Sequence, residues 1–223
     1  MIRLGFLDCL RGGAVVLMVF FHTCKAMVWM EMIDLNMSQS FWPAMPKIII
    51  FTFLFCVGIS LNFSHFPQIN WNSLKKRSFK LALGAMAVSL STYLIIPEKW
   101  VYFGTLHCIL VGSILGALLV NHRRLAALIL TLIVSLQYVC GYGIKWIHYS
   151  LLNKSSLDFI PIYPWLWVIL LGILTGPYLL KNKYLVEMNA PVPLRFLGAH
   201  AFKIYVIQAP IIYPTLWVIR SLI

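Results

Sequence analysis

The 223-residue chain is far more apolar than a soluble protein of its length, with 61% hydrophobic residues, 11% charged residues and a mean hydropathy of +0.87. Such a composition leaves too little polar side-chain surface for a soluble fold. The net charge of +12 would suit a nucleic-acid ligand, but a bias of Lys and Arg toward one side of a membrane explains it without one. We therefore predict an all-α, polytopic integral membrane protein that binds no nucleic acid.

Apolar stretches long enough for a hydrocarbon core about 30 Å thick follow one another along the chain, separated by prolines and charged residues. They predict a bundle of about seven transmembrane helices forming one domain, 1–223. The first stretch is too long and too polar inside for a cleaved signal peptide. The short connection at 96–101 predicts that the third and fourth helices form an antiparallel hairpin. The stretches are 12–30, 47–64, 79–96, 101–120, 124–142, 162–180 and 199–219.

The distribution of Lys and Arg predicts the orientation of this bundle. With the N-terminus in the cytoplasm, the inner side carries a large excess of cations over its two acids, Asp8 and Glu187, and the outer side is nearly balanced. Seven helices then place the C-terminus outside. The inner cations are Arg3, Arg11, Lys75, Lys76, Arg77, Lys80, Arg123, Arg124, Lys181, Lys183, Arg195 and Lys203.

Four ionisable residues mark the first helix: Asp8, Arg11, His22 and Lys25. Such residues are costly in a membrane and usually face the bundle interior or a water-filled cavity. At about 100° per residue all four lie within an arc of roughly 100°, and Arg11 and His22 are about 16 Å apart along the axis. Asp8 and Arg11 either form a purely structural ion pair or belong to a site. An imidazole at the depth of His22 needs partners and titrates near neutral pH, so His22 is a candidate functional residue.

Further candidates lie near the predicted outer side. His107, at the start of the fourth helix, has a depth comparable to that of His22, so the two either share a cavity or are each satisfied by backbone carbonyls. Asp158 is the only acid in its loop, and Trp165 after it is either an interfacial anchor or a substrate contact. The remaining histidines, His65 and His122 at inner loops among them, are weaker signals.

The last helix carries two polar candidates, Tyr205 and Gln208, close to Pro210. The carbonyl that this proline frees either helps to line a site or only accompanies a bend. The cysteines show neither metal-ligand spacing nor a disulfide framework, so no metal site is predicted. The Gly112-x-x-x-Gly116 motif packs helices either within one chain or between two copies, which leaves an oligomer open.

Five blocks of sequence, in this order, resemble the heparan-α-glucosaminide N-acetyltransferase catalytic-domain-like family, in particular its small bacterial members within the transmembrane acyltransferase superfamily. The resemblance covers nearly the whole chain. The blocks are LDCLRGGAVVLMVFFH (7–22), FTFLFCVGISL (51–61), YFGTLHCI (102–109), DFIPIYPWLWVILLGILTG (158–176) and LGAHAFKIYVIQAPI (197–211).

The resemblance implies transfer of an acetyl group from cytosolic acetyl-CoA to an amino sugar on the far side of a membrane, here the bacterial inner membrane. One departure is visible: where the family often has His-Gln-Pro, this chain has Gln208-Ala209-Pro210, and an amide cannot transfer a proton near neutral pH. If that position carries chemistry the protein is altered or inactive; if it positions substrate, little is lost. The matched positions are Asp8, Arg11, Gly58, His22, His107, Asp158, Pro164, Trp165 and Tyr205.

These observations combine into a set of expected roles. Arg11 and Asp8 are expected to bind the CoA thioester, and Asp158, Trp165, Tyr205 and Gln208 the sugar-type or other small acceptor. The basic inner face would attract the CoA phosphates. His22 or His107 acts as general base, or a histidine is acetylated transiently.

Two rival classes remain open, and a third is disfavoured. A small proton-coupled transporter would carry a similar intramembrane stripe, although no inverted repeat is visible. A non-catalytic partner in envelope assembly stays an alternative because of the departure at Gln208. A retinal protein would use Lys203, which lies at the inner end of the last helix rather than mid-membrane.

Overall fold

The computed structural model describes residues 5–139, 156–186, 188 and 191–222, and every regular element in those residues is a helix. The all-α prediction is therefore confirmed. The helices of the described residues are α1 (Gly5–Trp29), α2 (Met45–His65), α3 (Trp71–Ile95), α4 (Thr105–Leu119), α5 (Arg123–Tyr138), α6 (Ile162–Lys181), α7 (Lys183–Val186), α8 (Val192–Ala199) and α9 (Ala201–Leu222).

Five of the described helices, α1, α2, α3, α6 and α9, are long and apolar enough to cross a membrane, and α4 is apolar but only 15 residues long. Each overlaps a predicted stretch, although α1 and α3 begin seven and eight residues before theirs. The end of the predicted stretch 124–142 and the inner acid Glu187 lie outside the described residues. The count of seven helices and the orientation of the termini therefore stay predictions.

Contacts within the chain divide it into two compact units. Met1–Phe53 and Asn182–Ile223 form one, which we call the terminal unit; Leu54–Lys181 form the other, the central unit. The prediction of a single domain over 1–223 stays a prediction.

In the terminal unit α1 packs closely against α8 through glycines. A Cβ on Gly12 would meet the backbone of Leu194, and one on Gly198 would meet the backbone of Asp8. Sequence inspection treated the prolines at 191 and 193 only as breakers, yet α8 begins directly after Pro191. Proline favours the first turn of a helix, where its missing N–H costs nothing.

The C-terminal ends of α1 and α9 also lie together in the terminal unit. Ala26, Met30 and Leu216 form a small buried core, and Arg220 pairs with Glu31 at 3.6 Å on the exposed rim. The two helices therefore run in the same direction. A parallel first and last helix is what an odd number of membrane crossings requires.

The core of the central unit is the crossing of α2 and α6. A Cβ on Gly58 would meet the carbonyl of Ile169, and one on Gly172 would meet the carbonyl of Phe55. Asn62, 7% exposed, donates across this crossing from Nδ2 to the Ile173 carbonyl at 3.1 Å. Small residues that bring backbones together, with an amide bonding across, are typical of helix pairs in membranes.

The Gly112-x-x-x-Gly116 motif on α4 is used inside the chain. A Cβ on Gly112 would meet the side chain of Ile169, and one on Gly116 would lie 2.5 Å from Leu61 Cδ1. These glycines thus face α2 and α6 of the same unit. The motif gives no support to an oligomer, which stays a prediction.

One end of the central unit holds the turn of the predicted hairpin between α3 and α4. The Val101 N–H donates to Thr92 Oγ1 at 3.0 Å, so the end of α3 is tied to the segment before α4.

At the other end of the central unit, His65 is the last residue of α2 and is 1% exposed. Its Nδ1 accepts from the Asn70 N–H at 3.2 Å, and its carbonyl accepts from Asn121 Nδ2 at 3.2 Å. His65 is therefore a buried structural residue rather than the loop residue that its sequence position suggested.

Candidate functional site

His22 lies in the C-terminal half of α1 and is half-buried. Its Nδ1 lies 2.8 Å from the carbonyl of Met18, one turn earlier. Because a carbonyl only accepts, Nδ1 carries the proton, and in the neutral ring the basic lone pair is on Nε2. One of the two alternatives given by the sequence, a hydrogen bond from His22 to a backbone carbonyl, is thus present. This hydrogen bond selects one tautomer of the ring.

A cluster of aromatic rings lies beside this imidazole in the terminal unit and contacts it through Phe21. The ring of Phe21 meets His22 edge-on with 5.7 Å between centroids, and Trp42, 8% exposed, packs against Phe20 and Phe21 at 6.0 and 6.5 Å. Such rings lower the local dielectric and strengthen any electrostatic contact made there. Sequence reasoning missed Trp42, whose only signal was an aromatic pair next to Pro43.

The predicted ion pair on α1 is present, with Arg11 Nη1 3.4 Å from Asp8 Oδ1. Asp8 is 5% exposed and its Oδ2 is buried without a hydrogen-bond partner. A buried carboxylate oxygen of this kind is costly. Its second oxygen therefore leaves capacity for a donor from a ligand or a water molecule.

The polar stripe predicted for α1 is only partly enclosed. Its buried residues Asp8, Val15 and Met18 lie on the same side of the helix as Arg11 and His22, at about 100° per residue. Lys25, at the edge of the arc, is exposed. The stripe is thus mostly inside the protein.

The last helix presents a second unpaired polar group in the terminal unit. Gln208 is 6% exposed, and its Oε1 is buried without a hydrogen-bond partner. Tyr205, three residues earlier, is half-buried. The position where the family often has histidine is therefore an interior one.

In the central unit Asp158 caps α4 from a distant loop. Its Oδ2 accepts from the Thr105 N–H at 2.9 Å and from Thr105 Oγ1 at 3.0 Å. A carboxylate at a helix N-terminus satisfies an otherwise unpaired N–H and interacts favourably with the helix dipole. Gly104 is required beside it, because a Cβ there would lie 2.7 Å from Asp158 Oδ2.

His107 is held at both ring nitrogens. Nδ1 accepts from the Gly104 N–H at 3.2 Å, and Nε2 lies 3.4 Å from Ser89 Oγ. The Ser89 hydroxyl donates to the Val101 carbonyl at 2.6 Å, so its oxygen accepts from His107 Nε2–H. His107 is therefore the Nε2–H tautomer. Ser89 is one of four serines in α3, so nothing in the sequence set it apart for this role.

The loop that carries Asp158 continues into aromatic side chains. Tyr102 packs on Phe159 and Trp100, with ring centroids 5.3 and 6.0 Å apart. Trp165, in the first turns of α6, has a buried indole N–H without a hydrogen-bond partner. This N–H is available to donate a hydrogen bond to a bound ligand.

We expect Asp158→Ala to lower the free energy of unfolding by about 1–2 kcal/mol, because α4 loses its cap. Asp158→Asn keeps an oxygen that can accept from Thr105, so its free energy of unfolding should fall clearly less. Thermal unfolding of both variants in the same detergent measures the difference. An unchanged melting temperature for Asp158→Ala would contradict the capping role.

The predicted site residues thus form two groups. Asp8, Arg11, His22, Tyr205 and Gln208 belong to the terminal unit, and His107, Asp158 and Trp165 to the central unit. The prediction that His22 and His107 share a cavity stays a prediction. Within the part of the chain that the structure describes, no three His, Cys, Asp or Glu side chains gather as a metal site needs.

The apolar helices and the half-buried histidine of α1 together define an integral membrane protein with a polar group inside a membrane helix. The chain belongs to the family described as heparan-alpha-glucosaminide N-acetyltransferase, catalytic, whose model matches residues 3–210. The resemblance of the five sequence blocks is thereby confirmed, and membership implies a transmembrane acetyltransferase. Comparisons with curated proteins and with solved structures gave no match.

Proposed function

We propose that this protein transfers an acetyl group from cytosolic acetyl-CoA to an amine or hydroxyl of a sugar-type acceptor on the far side of a bacterial inner membrane. The family supports the acetyl transfer, and the excess of Lys and Arg on the predicted inner side supports an anionic donor there. In this proposal the membrane separates the donor from the acceptor, and the chain lies within that membrane.

The observation that carries the proposal is the tautomer of His22. Its Nδ1–H is committed to the Met18 carbonyl at 2.8 Å, so Nε2 is the basic nitrogen. A second hydrogen bond that orients an imidazole is how proteins prepare a histidine for proton transfer. The position of His22 within an apolar helix separates this base from bulk water.

Two routes use the same nitrogen. In the direct route Nε2 takes the proton of the acceptor N–H or O–H, the acceptor attacks the thioester carbonyl, the C–S bond breaks, and the CoA thiolate leaves and takes up the proton. In the two-step route Nε2 itself attacks the thioester and the C–S bond breaks, which releases the CoA thiolate and leaves an acetyl-imidazolium that keeps its Nδ1 proton. The acceptor then attacks the acetyl carbon, the bond between this carbon and Nε2 breaks, and the acceptor's proton neutralises the thiolate. Release of CoA in the absence of acceptor distinguishes the two-step route.

His107 is assigned a positioning role in this proposal. Its Nδ1 accepts a backbone N–H and its Nε2–H donates to Ser89, so no lone pair is left for a base without breaking a bond. Trp165, with its buried indole N–H, and Gln208, with its buried Oε1, are proposed to contact the acceptor. An amide at position 208 can bind hydroxyl groups of a sugar although it cannot transfer a proton.

The donor site is tested by thermal unfolding of the detergent-purified protein with and without acetyl-CoA. We expect acetyl-CoA to raise the melting temperature, since a ligand that binds only the folded state stabilises it. Arg11→Ala should abolish this rise. Arg195→Ala is the matched control, because Arg195 is an exposed cation of the same unit and its loss should leave the rise intact.

Arg11→Ala also removes the ion-pair partner of the buried Asp8. The melting temperature of this variant without ligand is therefore first compared with that of the unmodified protein. Arg11→Lys keeps a cation beside Asp8 and should retain part of the acetyl-CoA effect. No stabilisation of the unmodified protein at saturating acetyl-CoA would overturn the proposed donor and favour a carrier or an assembly partner.

A further inference from the structure

An open cleft lies at the end of the central unit opposite Asp158. It has a volume of about 580 Å³, and its lining residues are Phe66, Asn121, His122, Arg123, Arg124 and Leu125. Three of these side chains are basic or can become so, and none is acidic. A cavity with this lining is suited to an anion.

The two arginines occupy the first turn of α5, directly after the residue His122 at its N-cap. The positive end of the helix dipole and the unpaired N–H groups of the first turn favour anions, and cations there are unfavourable. Within the described residues the first turn holds no acid, and neither arginine is in an ion pair with a described carboxylate. A bound anion would remove this electrostatic conflict.

The cleft also holds polar atoms without partners. Arg123 Nε and Asn121 Oδ1 are both buried without a hydrogen-bond partner. The guanidinium of Arg123 lies 4.9 Å from the ring centroid of Phe66, and Asn121 Nδ2 is bonded to the carbonyl of His65 at 3.2 Å. The positive-inside rule accounts for arginines in this loop, but it does not account for a guanidinium fixed on a ring with a buried, unused donor.

We propose that this cleft binds a phosphate-bearing group, and that the nucleotide end of the CoA donor supplies it. Arginine pairs bind phosphates through several charge-assisted hydrogen bonds, and both arginines lie on the predicted inner side, where the donor is found. The choice of CoA rests on the proposed function. The headgroup of an anionic phospholipid has the same phosphate chemistry and is the other source.

The test compares the double variant Arg123→Gln/Arg124→Gln with Lys75→Gln/Lys76→Gln. The control pair removes the same charge from two exposed lysines of α3 in the same unit. Binding of CoA and of pantetheine, which lacks the nucleotide, is measured on the full chain in detergent. We expect CoA affinity to fall at least tenfold in the arginine variant only, and pantetheine affinity to be unchanged.

Arg124→Gln alone keeps the proposal testable if the double variant unfolds, because the Arg124 side chain is exposed. A lipid arm uses nanodiscs with and without phosphatidylglycerol, and native mass spectrometry counts retained lipids. Unchanged CoA affinity with loss of a bound phosphatidylglycerol in the arginine variant would confirm the phosphate site and assign it to lipid.

Unchanged binding of both ligands in the arginine variants would overturn the phosphate site. If the unmodified protein binds no CoA, the proposal that CoA is the donor is wrong. The measurement in nanodiscs alone then shows whether the cleft binds a phosphate. The two failures are therefore distinguishable.

Discussion

His22→Ala is expected to lower the rate of acetyl transfer by at least about 100-fold, because a general base in place contributes roughly 10²–10⁴ to a rate. The variant loses the only nitrogen that the proposed mechanism uses for proton or acetyl transfer. Its fold should be retained, since the hydrogen bond to the Met18 carbonyl lies within one turn of α1 and the helix backbone does not depend on it. The measurement is acetyl-CoA-dependent labelling of a sugar amine by protein in vesicles, with thermal unfolding of the same preparation.

His200 offers a matched control for this variant. Its Nδ1 bonds to the carbonyl of Phe196, one turn earlier, at 2.9 Å, and its ring packs on Phe196 with centroids 4.4 Å apart. The local geometry thus repeats that of His22, but this bond is solvent-exposed and lies at the junction of α8 and α9. His200→Ala should keep full activity. Full activity in His22→Ala would sink the catalytic assignment, whereas equal losses in both variants would indicate a structural effect.

Gly58→Ala is expected to destabilise the protein by about 1–3 kcal/mol, the usual cost of overpacking a filled interior. Its added Cβ would meet the Ile169 carbonyl and lie 2.9 Å from Gly172 Cα. These are backbone atoms of α6, which cannot move aside as a flexible side chain can. The gain in helix propensity from glycine to alanine, about 1 kcal/mol, is too small to offset the separation of two helices. Thermal unfolding in detergent measures the change.

Gly13→Ala separates the packing effect from the propensity effect. Among the described residues, a Cβ on Gly13 meets nothing within 4 Å beyond the neighbouring backbone of its own helix, α1, so we expect an unchanged or slightly higher melting temperature. A Gly58→Ala protein as stable as Gly13→Ala would show that the crossing of α2 and α6 has room for a methyl group.

Part of the candidate site was predictable because it is local. Asp8 and Arg11 are three residues apart on one helix, and any helix brings such a pair together. His22 was found because an ionisable residue inside an apolar stretch is conspicuous. The long-range contacts of the central unit were not predictable: His107 bonds to Ser89 on another helix, and Asp158 reaches Thr105 across 53 residues of chain.

The sequence by itself determined the membrane class, the positions of the described long helices and the family, because hydropathy and short blocks of residues are properties of the linear chain. Only the tertiary structure decided which glycines bring helices together and which nitrogen of His22 and of His107 carries the proton. It also decided that Arg123 and Asn121 line one cleft. Each of these depends on atoms that distant segments place within a few ångströms. In an apolar sequence, where nearly every residue suits the bilayer, periodicity does not say which face of a helix meets its neighbour.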